Sequence, residues 1–153
     1  MIFVTVGGSD FDALVQAMDA IAARLDEEVV MQIGRGRYVP HHATYFRYAP
    51  DLTPYYDVAD IIVAHGGVGT TMEALRHGKR LVSVDNPDRP DHHQEDLLGH
   101  LAARGHLVWC RDLGTLERAL QAAREQSPVP YQEPPCRIPE LVAEFLEQLE
   151  KKP

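Results

Sequence analysis

Asp60-Ile-Ile-Val-Ala-His65-Gly66-Gly67-Val68-Gly69-Thr70-Thr71-Met72-Glu73-Ala74-Leu75 is the stretch on which the reading of the chain turns. Ile61 to Ala64 is an unbroken apolar run, the pattern of a strand buried on both faces of a parallel sheet. Gly66, Gly67 and Gly69 then allow a tight turn and a close approach of the backbone to a ligand. Thr70 or Thr71 can cap a helix that continues through Met72, Ala74 and Leu75. Strand, glycine turn and helix follow without a gap, so N–H groups at the helix start face the crevice above the strand. An anion such as a phosphate is the natural occupant. His65 stands at the lip of that crevice. Glu73 lies about one turn into the helix, within reach of a hydroxyl on whatever carries the phosphate. A plainer reading has the glycines serve only a sharp turn and Glu73 complement the helix dipole. The added His and Glu favour ligand binding.

The N-terminus repeats the arrangement. Ile2 to Val6 reads as a central buried strand that runs into Gly7-Gly8-Ser9-Asp10, then into a helix with apolar Phe11, Leu14, Val15, Met18, Ile21 and Leu25. The turn is a second candidate phosphate-facing loop with Ser9 or Asp10 as cap, or equally a plain capped turn, because the full dinucleotide glycine fingerprint is missing. Val29 to Ile33 is the next strand, followed by Gly34-Arg35-Gly36-Arg37, whose arginines read as a solvated loop rather than a ligand contact. Thr44 to Tyr48 is a short strand at the sheet edge, and Leu52 to Ala59 a short helix with Pro54 in its first turn.

Beyond the central stretch, Gly78 stops the helix and Arg80 to Val84 is a buried strand. A polar proline loop, Asp85 to Pro90, leads to Asp91-His92-His93-Gln94 at the start of a helix carrying Leu97, Leu98 and Leu101. Polar groups there sit beyond the carboxyl end of a strand, where His93 and Gln94 are candidate readers of sugar hydroxyls and His92 reads as solvated. Leu107 to Cys110 is a sixth strand and Leu113 to Arg124 a helix. The region 126–139 is a proline-rich extended crossing. A last amphipathic helix carries Ile138, Leu141, Val142, Phe145, Leu146 and Leu149, to pack on the domain or on a partner.

A chain of 153 residues suits a single domain, 1–153, with a core that needs neither disulfide nor metal. Its net charge of −8, with scattered basic residues, argues against nucleic-acid binding. Cys110 and Cys136 show no metal spacing and no secretory framework, which suits a cytoplasmic setting. No apolar run reaches the roughly 20 residues that span a bilayer, so membrane contact would be peripheral or supplied by a partner. Asp85, Asp88 and Asp91 are strung through the proline loop rather than gathered as a divalent-metal site. Alternating strands and helices predict an α/β, Rossmann-like, doubly wound and mainly parallel sheet of about six strands, with the ligand at the switch between the first and fourth strands, where both glycine turns meet.

Met1-Ile-Phe-Val-Thr-Val-Gly7, Ala59 to Thr70 through Glu73-Ala-Leu75, and Asp91-His-His-Gln94 resemble the family 28 glycosyltransferase C-terminal domain over nearly the whole chain. More narrowly, the chain is similar to the small donor-binding subunits of two-part GT-B glycosyltransferases, as in bacterial exopolysaccharide synthesis and the dolichol-pathway N-acetylglucosaminyltransferase. The resemblance implies a domain equivalent to the C-terminal half of a GT-B enzyme. It implies a UDP-sugar donor, transfer of a hexose-type sugar to a lipid-linked or polysaccharide acceptor, and a membrane-anchored acceptor-binding partner that recruits the chain to the inner face of the membrane. It assigns Gly7, Gly8, Gly67, Gly69 and Thr70 to the diphosphate, with His65 close by and Ser9 and Gly66 in the same two loops. Glu73 goes to the ribose, and His93 and Gln94 to the donor sugar. His65 and Glu73 are the residues implied in catalysis. The first loop departs from many relatives, which have Gly-Thr and then a different polar residue, so Ser9 and Asp10 carry over less directly.

Helix N-termini can neutralise a departing diphosphate without metal, so no cofactor is expected. No residue stands out as the general base for the acceptor hydroxyl. The chain reads as half an active site, and self-association through its last helix when alone is left open by the sequence. The rivals are a non-catalytic nucleotide-sugar-binding module that stabilises or regulates a partner, and a self-sufficient hydrolase or epimerase. The sugar is left open among glucose, N-acetylglucosamine, galactose and glucuronate.

Overall fold

The computed structural model describes residues 1–86, 93–133 and 135–150, and for 93, 94, 144 and 147–150 the backbone alone. Six strands form one sheet: β1 (Ile2–Thr5), β2 (Val29–Gln32), β3 (Thr44–Phe46), β4 (Ile61–His65), β5 (Arg80–Val84) and β6 (Val108–Cys110). Their order is β3-β2-β1-β4-β5-β6 and every pairing is parallel. The helices are α1 (Asp12–Ala22), α2 (Thr53–Val58), α3 (Val68–Arg76), α4 (His93–Ala103), α5 (Leu116–Glu125) and α6 (Ile138–Glu150).

Alternation along each strand divides the apolar side chains between two cores. Ile2, Val4, Val29, Met31, Ile61, Val63, Val82 and Val84 pack with α1 and α5. Phe3, Val30, Ile62, Ala64 and Leu81 pack with Tyr56, Ala74, Leu75 and Leu98 from α2, α3 and α4. Burial on both faces is why these strands read as continuous apolar runs. The doubly wound, parallel, six-stranded sheet expected from the sequence is the one observed.

Details at the helix ends differ from expectation. α3 starts at Val68 with Gly67 in the cap position and no side-chain cap bond, so Thr70 and Thr71 lie inside the helix. α1 is entered through Phe11, again without a side-chain cap. Ser9 instead donates its hydroxyl to the Val6 carbonyl at 2.9 Å, so it closes the turn and does not cap the helix. A 3-10 turn at Leu113–Thr115, with the Asp112 carboxylate accepting from Gly114 N–H, precedes α5. The extended crossing is held by Val129 N–H to the Gly105 carbonyl at 3.0 Å and by an Arg76–Glu133 ion pair. It leads to α6, whose Ile138, Leu141, Val142, Phe145 and Leu146 are all at least half exposed. Packing of that face on the domain, one of the two expectations for it, is not what the structure has.

Asp19 of α1, 1% exposed, anchors the loop between β2 and β3. Its carboxylate accepts from the Tyr38 hydroxyl at 2.7 Å and from the His41 and His42 N–H groups at 3.0 and 2.7 Å. Burial by itself would raise its pKa, but the two backbone donors and the Tyr38 hydroxyl outweigh that and hold it below the usual carboxylate range. A lowered folded-state pKa stabilises the fold above the unfolded value of about 3.9 and is lost as pH falls through the folded value. Urea midpoints measured across pH 6 to 3 should therefore fall in wild type. Asp19→Asn, with one acceptor oxygen where three donors converge, should cost about 1–3 kcal/mol at neutral pH. It should also show a shallower acid loss.

Candidate donor-binding site at the switch between β1 and β4

The central constraint is the register of β1 against β4, which pairs Thr5 with Ala64. Both strands point the same way, so the chain leaves them side by side, at Gly7 and at His65. A Cβ placed on Gly7 would lie 2.8 Å from His65 Cε1 and 3.4 Å from Thr70 Oγ1. A Cβ on Gly67 would lie 2.4 Å from His65 Nε2. The His65 ring therefore fills the space between the two turns, in contact with both, with the Thr70 hydroxyl alongside. Gly7, His65, Gly67 and Thr70 are brought together at one point.

The glycines have separate reasons. Gly7 has φ +63°, a left-handed conformation costly for other residues, and also needs the room taken by His65. Gly67, at φ −68°, has an ordinary backbone; its hydrogen side chain is needed because the imidazole lies against it. Gly8 and Gly69 would meet nothing within 4 Å. Among the described residues, the space over the first loop and over the first turn of α3 is therefore open. The N–H groups of Val68, Gly69 and Thr70 lack intrahelical partners by the geometry of a helix start. The cap residue, Gly67, has no side chain to offer them. An anion seated there would meet them and the positive end of the helix dipole.

The first loop is less open-handed. Gly7 N–H donates to Thr5 Oγ1 at 3.1 Å and Ser9 N–H to the Val6 carbonyl at 3.4 Å. The Gly7 carbonyl accepts from Gln32 Nε2 at 2.7 Å. Gln32, 3% exposed, also donates to the Arg47 carbonyl at 2.8 Å and accepts from the Thr5 hydroxyl at 2.5 Å. This buried pair, Thr5 and Gln32, clamps Gly7 from below. A second brace comes from Gly34, where a Cβ would strike the Ser9 carbonyl at 2.3 Å, and from Arg35 N–H, which donates to that carbonyl at 3.0 Å. Arg47 holds the brace by donating to the Gly34 and Gly36 carbonyls at 3.1 and 2.7 Å. The Arg35 and Arg37 side chains are exposed, as expected.

Glu73 lies three residues beyond Thr70 on α3, on a neighbouring stretch of the same helix face. It is half-buried and accepts from the Tyr56 hydroxyl at 3.2 Å. Gly66 begins the turn, its N–H bonded to the Val84 carbonyl at 2.9 Å. His93 and Gln94 open α4, but their side chains lie outside the described residues, as do Asp88, Asp91 and His92 entirely. Sequence reading missed Thr5, Gln32, Arg47 and Tyr56. The one signal available was a polar residue closing an otherwise apolar strand, at Thr5 and at Gln32.

Among the described residues, no group of three or more His, Cys, Asp and Glu side chains is placed to hold a metal ion. A groove of about 460 Å³ between α1 and α5 lies at the opposite end of the sheet. Asp26, Glu27, Glu117 and Arg124 line it, and Arg124 is already paired to Glu27, so the lining offers an anionic ligand no unpaired cation. The open side of Gly69 yields a sharp expectation. Gly69→Ala in a helix should raise stability by up to about 1 kcal/mol, read by thermal unfolding. If a diphosphate approaches that backbone, the same change should weaken UDP binding by about tenfold or more. The stability gain follows from the helical backbone in either case, so unchanged UDP affinity in the variant would leave Gly69 with a purely conformational role.

Comparison with known proteins agrees with this architecture. The glycosyltransferase family 28 C-terminal domain matches residues 1–149. The UDP-N-acetylglucosamine transferase subunit ALG13 of Homo sapiens is 34% identical over 71% of this chain, which spans 11% of that protein's length. The subunit of the same name from Yarrowia lipolytica is 29% identical over 82% of this chain and 73% of its own. Among solved structures, the NMR solution structure of ALG13 superposes with a TM-score of 0.63 at 17% identity, over 98% of this chain and 96% of that one. Acinetobacter baumannii MurG gives 0.66 at 18% identity, over 96% of this chain and 49% of that one. A Streptomyces glycosyltransferase, SsfS6, complexed with thymidine diphosphate, gives 0.63 at 26% identity over 82% of this chain and 33% of that one. The sheet is that of the carboxyl-terminal half of GT-B enzymes, and the chain belongs to the glycosyltransferase family 28 C-terminal domain family.

Proposed function

We propose that the chain is the donor-binding catalytic subunit of a heteromeric glycosyltransferase that takes a sugar from a UDP-sugar. The observation that carries this reading is the meeting of Gly7, His65, Gly67 and Thr70 at the start of α3, with the space over Gly8 and Gly69 left open by the described residues. Family membership supports sugar transfer, and the name shared by the ALG13 relatives supports N-acetylglucosamine among the four sugars left open by the sequence. The thymidine diphosphate complex of SsfS6 supports a nucleoside diphosphate as the ligand of this half-fold.

In this reading the start of α3 takes the diphosphate and lowers the cost of the charge that develops on it as the sugar departs. His65, wedged between the two turns, borders the phosphates. Glu73 holds the ribose, and the donor sugar is the ligand that the family resemblance assigns to His93 and Gln94. The acceptor, lipid-linked or polysaccharide, and the base that deprotonates it belong to the facing half of the cleft, contributed by a membrane-anchored partner that brings this chain to the inner face of the membrane. No helix among the described residues is long and apolar enough to cross a membrane. The exposed apolar face of α6 supports association with another chain.

The rival is a binding module that stabilises or regulates a partner without taking part in transfer. Glu73→Ala separates the two in a reconstituted assay with the partner subunit and a UDP-sugar. The catalytic reading expects UDP affinity and transfer to fall together, each by about tenfold or more. Transfer at the wild-type rate would overturn it. The purified chain alone should give little or no turnover with UDP-sugars, and robust turnover without a partner would mark a self-sufficient hydrolase or epimerase.

A further inference from the structure

Tyr56 is fully buried in α2, yet it carries a hydroxyl that ends at Glu73, on a different helix. Its ring is fixed on two sides, edge-on to Phe3 at 5.6 Å between centroids and tilted over His77 at 5.1 Å. The hydroxyl reaches Glu73 Oε2 at 3.2 Å, so a rigid donor holds one oxygen of the carboxylate and leaves the other as an acceptor. Burial first, and then the neighbouring Glu73 charge, push the Tyr56 pKa far up, so the phenol keeps its proton and can only donate. The cation nearest in sequence on the same helix, Arg76, is engaged by Glu133 of the proline-rich crossing. Among the described residues, Glu73 thus has a neutral hydrogen bond and no ion pair, with Arg76 acting on it only through longer-range charge.

We infer that Tyr56 is a positioning residue, which presents the Glu73 carboxylate to a ribose hydroxyl and so sets the preference for ribonucleotide over deoxyribonucleotide donors. The inference rests on the UDP-sugar reading above and adds to it the residue through which sugar-ring selectivity is enforced. A hydrogen bond between a hydroxyl and a carboxylate is directional. A carboxylate held at one oxygen therefore loses little orientational freedom on gripping the ligand, and one left loose loses more. A buried tyrosine also needs a partner for its hydroxyl whatever the ligand does. For that reason the test reads selectivity, not affinity alone.

Calorimetric titration of the full chain with UDP, 2′-deoxy-UDP and 3′-deoxy-UDP gives the measurement. Wild type should bind UDP roughly tenfold more tightly than at least one deoxy analogue. Tyr56→Phe keeps the ring and its packing, and should shrink that ratio towards one, with the loss falling on UDP. In a Glu73→Ala background, which removes the acceptor, the same substitution should change nothing further, since the two residues act as one unit. Equal weakening of all three ligands by Tyr56→Phe would assign the hydroxyl a purely structural role and overturn the inference, as would an unchanged ratio. A wild-type chain that binds UDP without distinguishing the analogues also overturns it while leaving the donor reading intact. A wild-type chain that does not bind UDP removes both.

Discussion

The structure depends on one registration: β1 beside β4, parallel, with Thr5 opposite Ala64. Because both strands run in the same direction and end together, their exits open onto one crevice, and the strand order reverses direction across it. Everything at the candidate site is built on that coincidence. A slip of one residue would turn the buried Ile61 and Val63 to the wrong face and carry His65 away from Gly7. The pairing register that holds the sheet together is thus also what holds the two glycine turns in contact.

From that constraint the polar architecture follows. A loop that leaves a buried strand must satisfy its own backbone groups, and here Thr5 and Gln32 do so for Gly7 from inside the sheet. The start of α3 is treated in the opposite way, with glycine in the cap position and the space above Gly69 left open by the described residues. One turn is clamped and the other is left receptive. A rigid lower loop and an uncapped helix start together make a pocket suited to an anion that arrives and leaves, and the acidic groove at the far end of the sheet does not compete for it.

Much of this was legible in the sequence. The strands could be read because burial on both faces leaves apolar runs such as Ile2–Val4 and Ile61–Ala64, and the turns because glycine interrupts those runs at their carboxyl ends. The meeting of the two turns followed from the alternation of strands and helices. Helix starts were less legible: Thr70 and Thr71 are good cap residues, but the chain enters α3 at Gly67 because His65 needs the space beside it. The reason for Gly67 is a contact with a side chain two residues away, which composition does not encode. The clamp at Gly7 joins residues 25 to 27 positions apart in sequence, and the Tyr56–Glu73 bond joins two helices. Such pairs become visible only when the sheet has set the register. The amphipathic pattern of α6 was plain, but what that face meets is a property of another surface.

The central claim is that the site is the crevice between the first and fourth strands. Backbone amide chemical shifts recorded while the chain is titrated with UDP test it directly. The account predicts that the largest changes fall on Gly8, Gly66 to Thr70 and Glu73, with the residues between α1 and α5 unmoved. Changes concentrated on Leu25, Glu27, Glu117 and Arg124, or none at the start of α3 at saturating UDP, would contradict it.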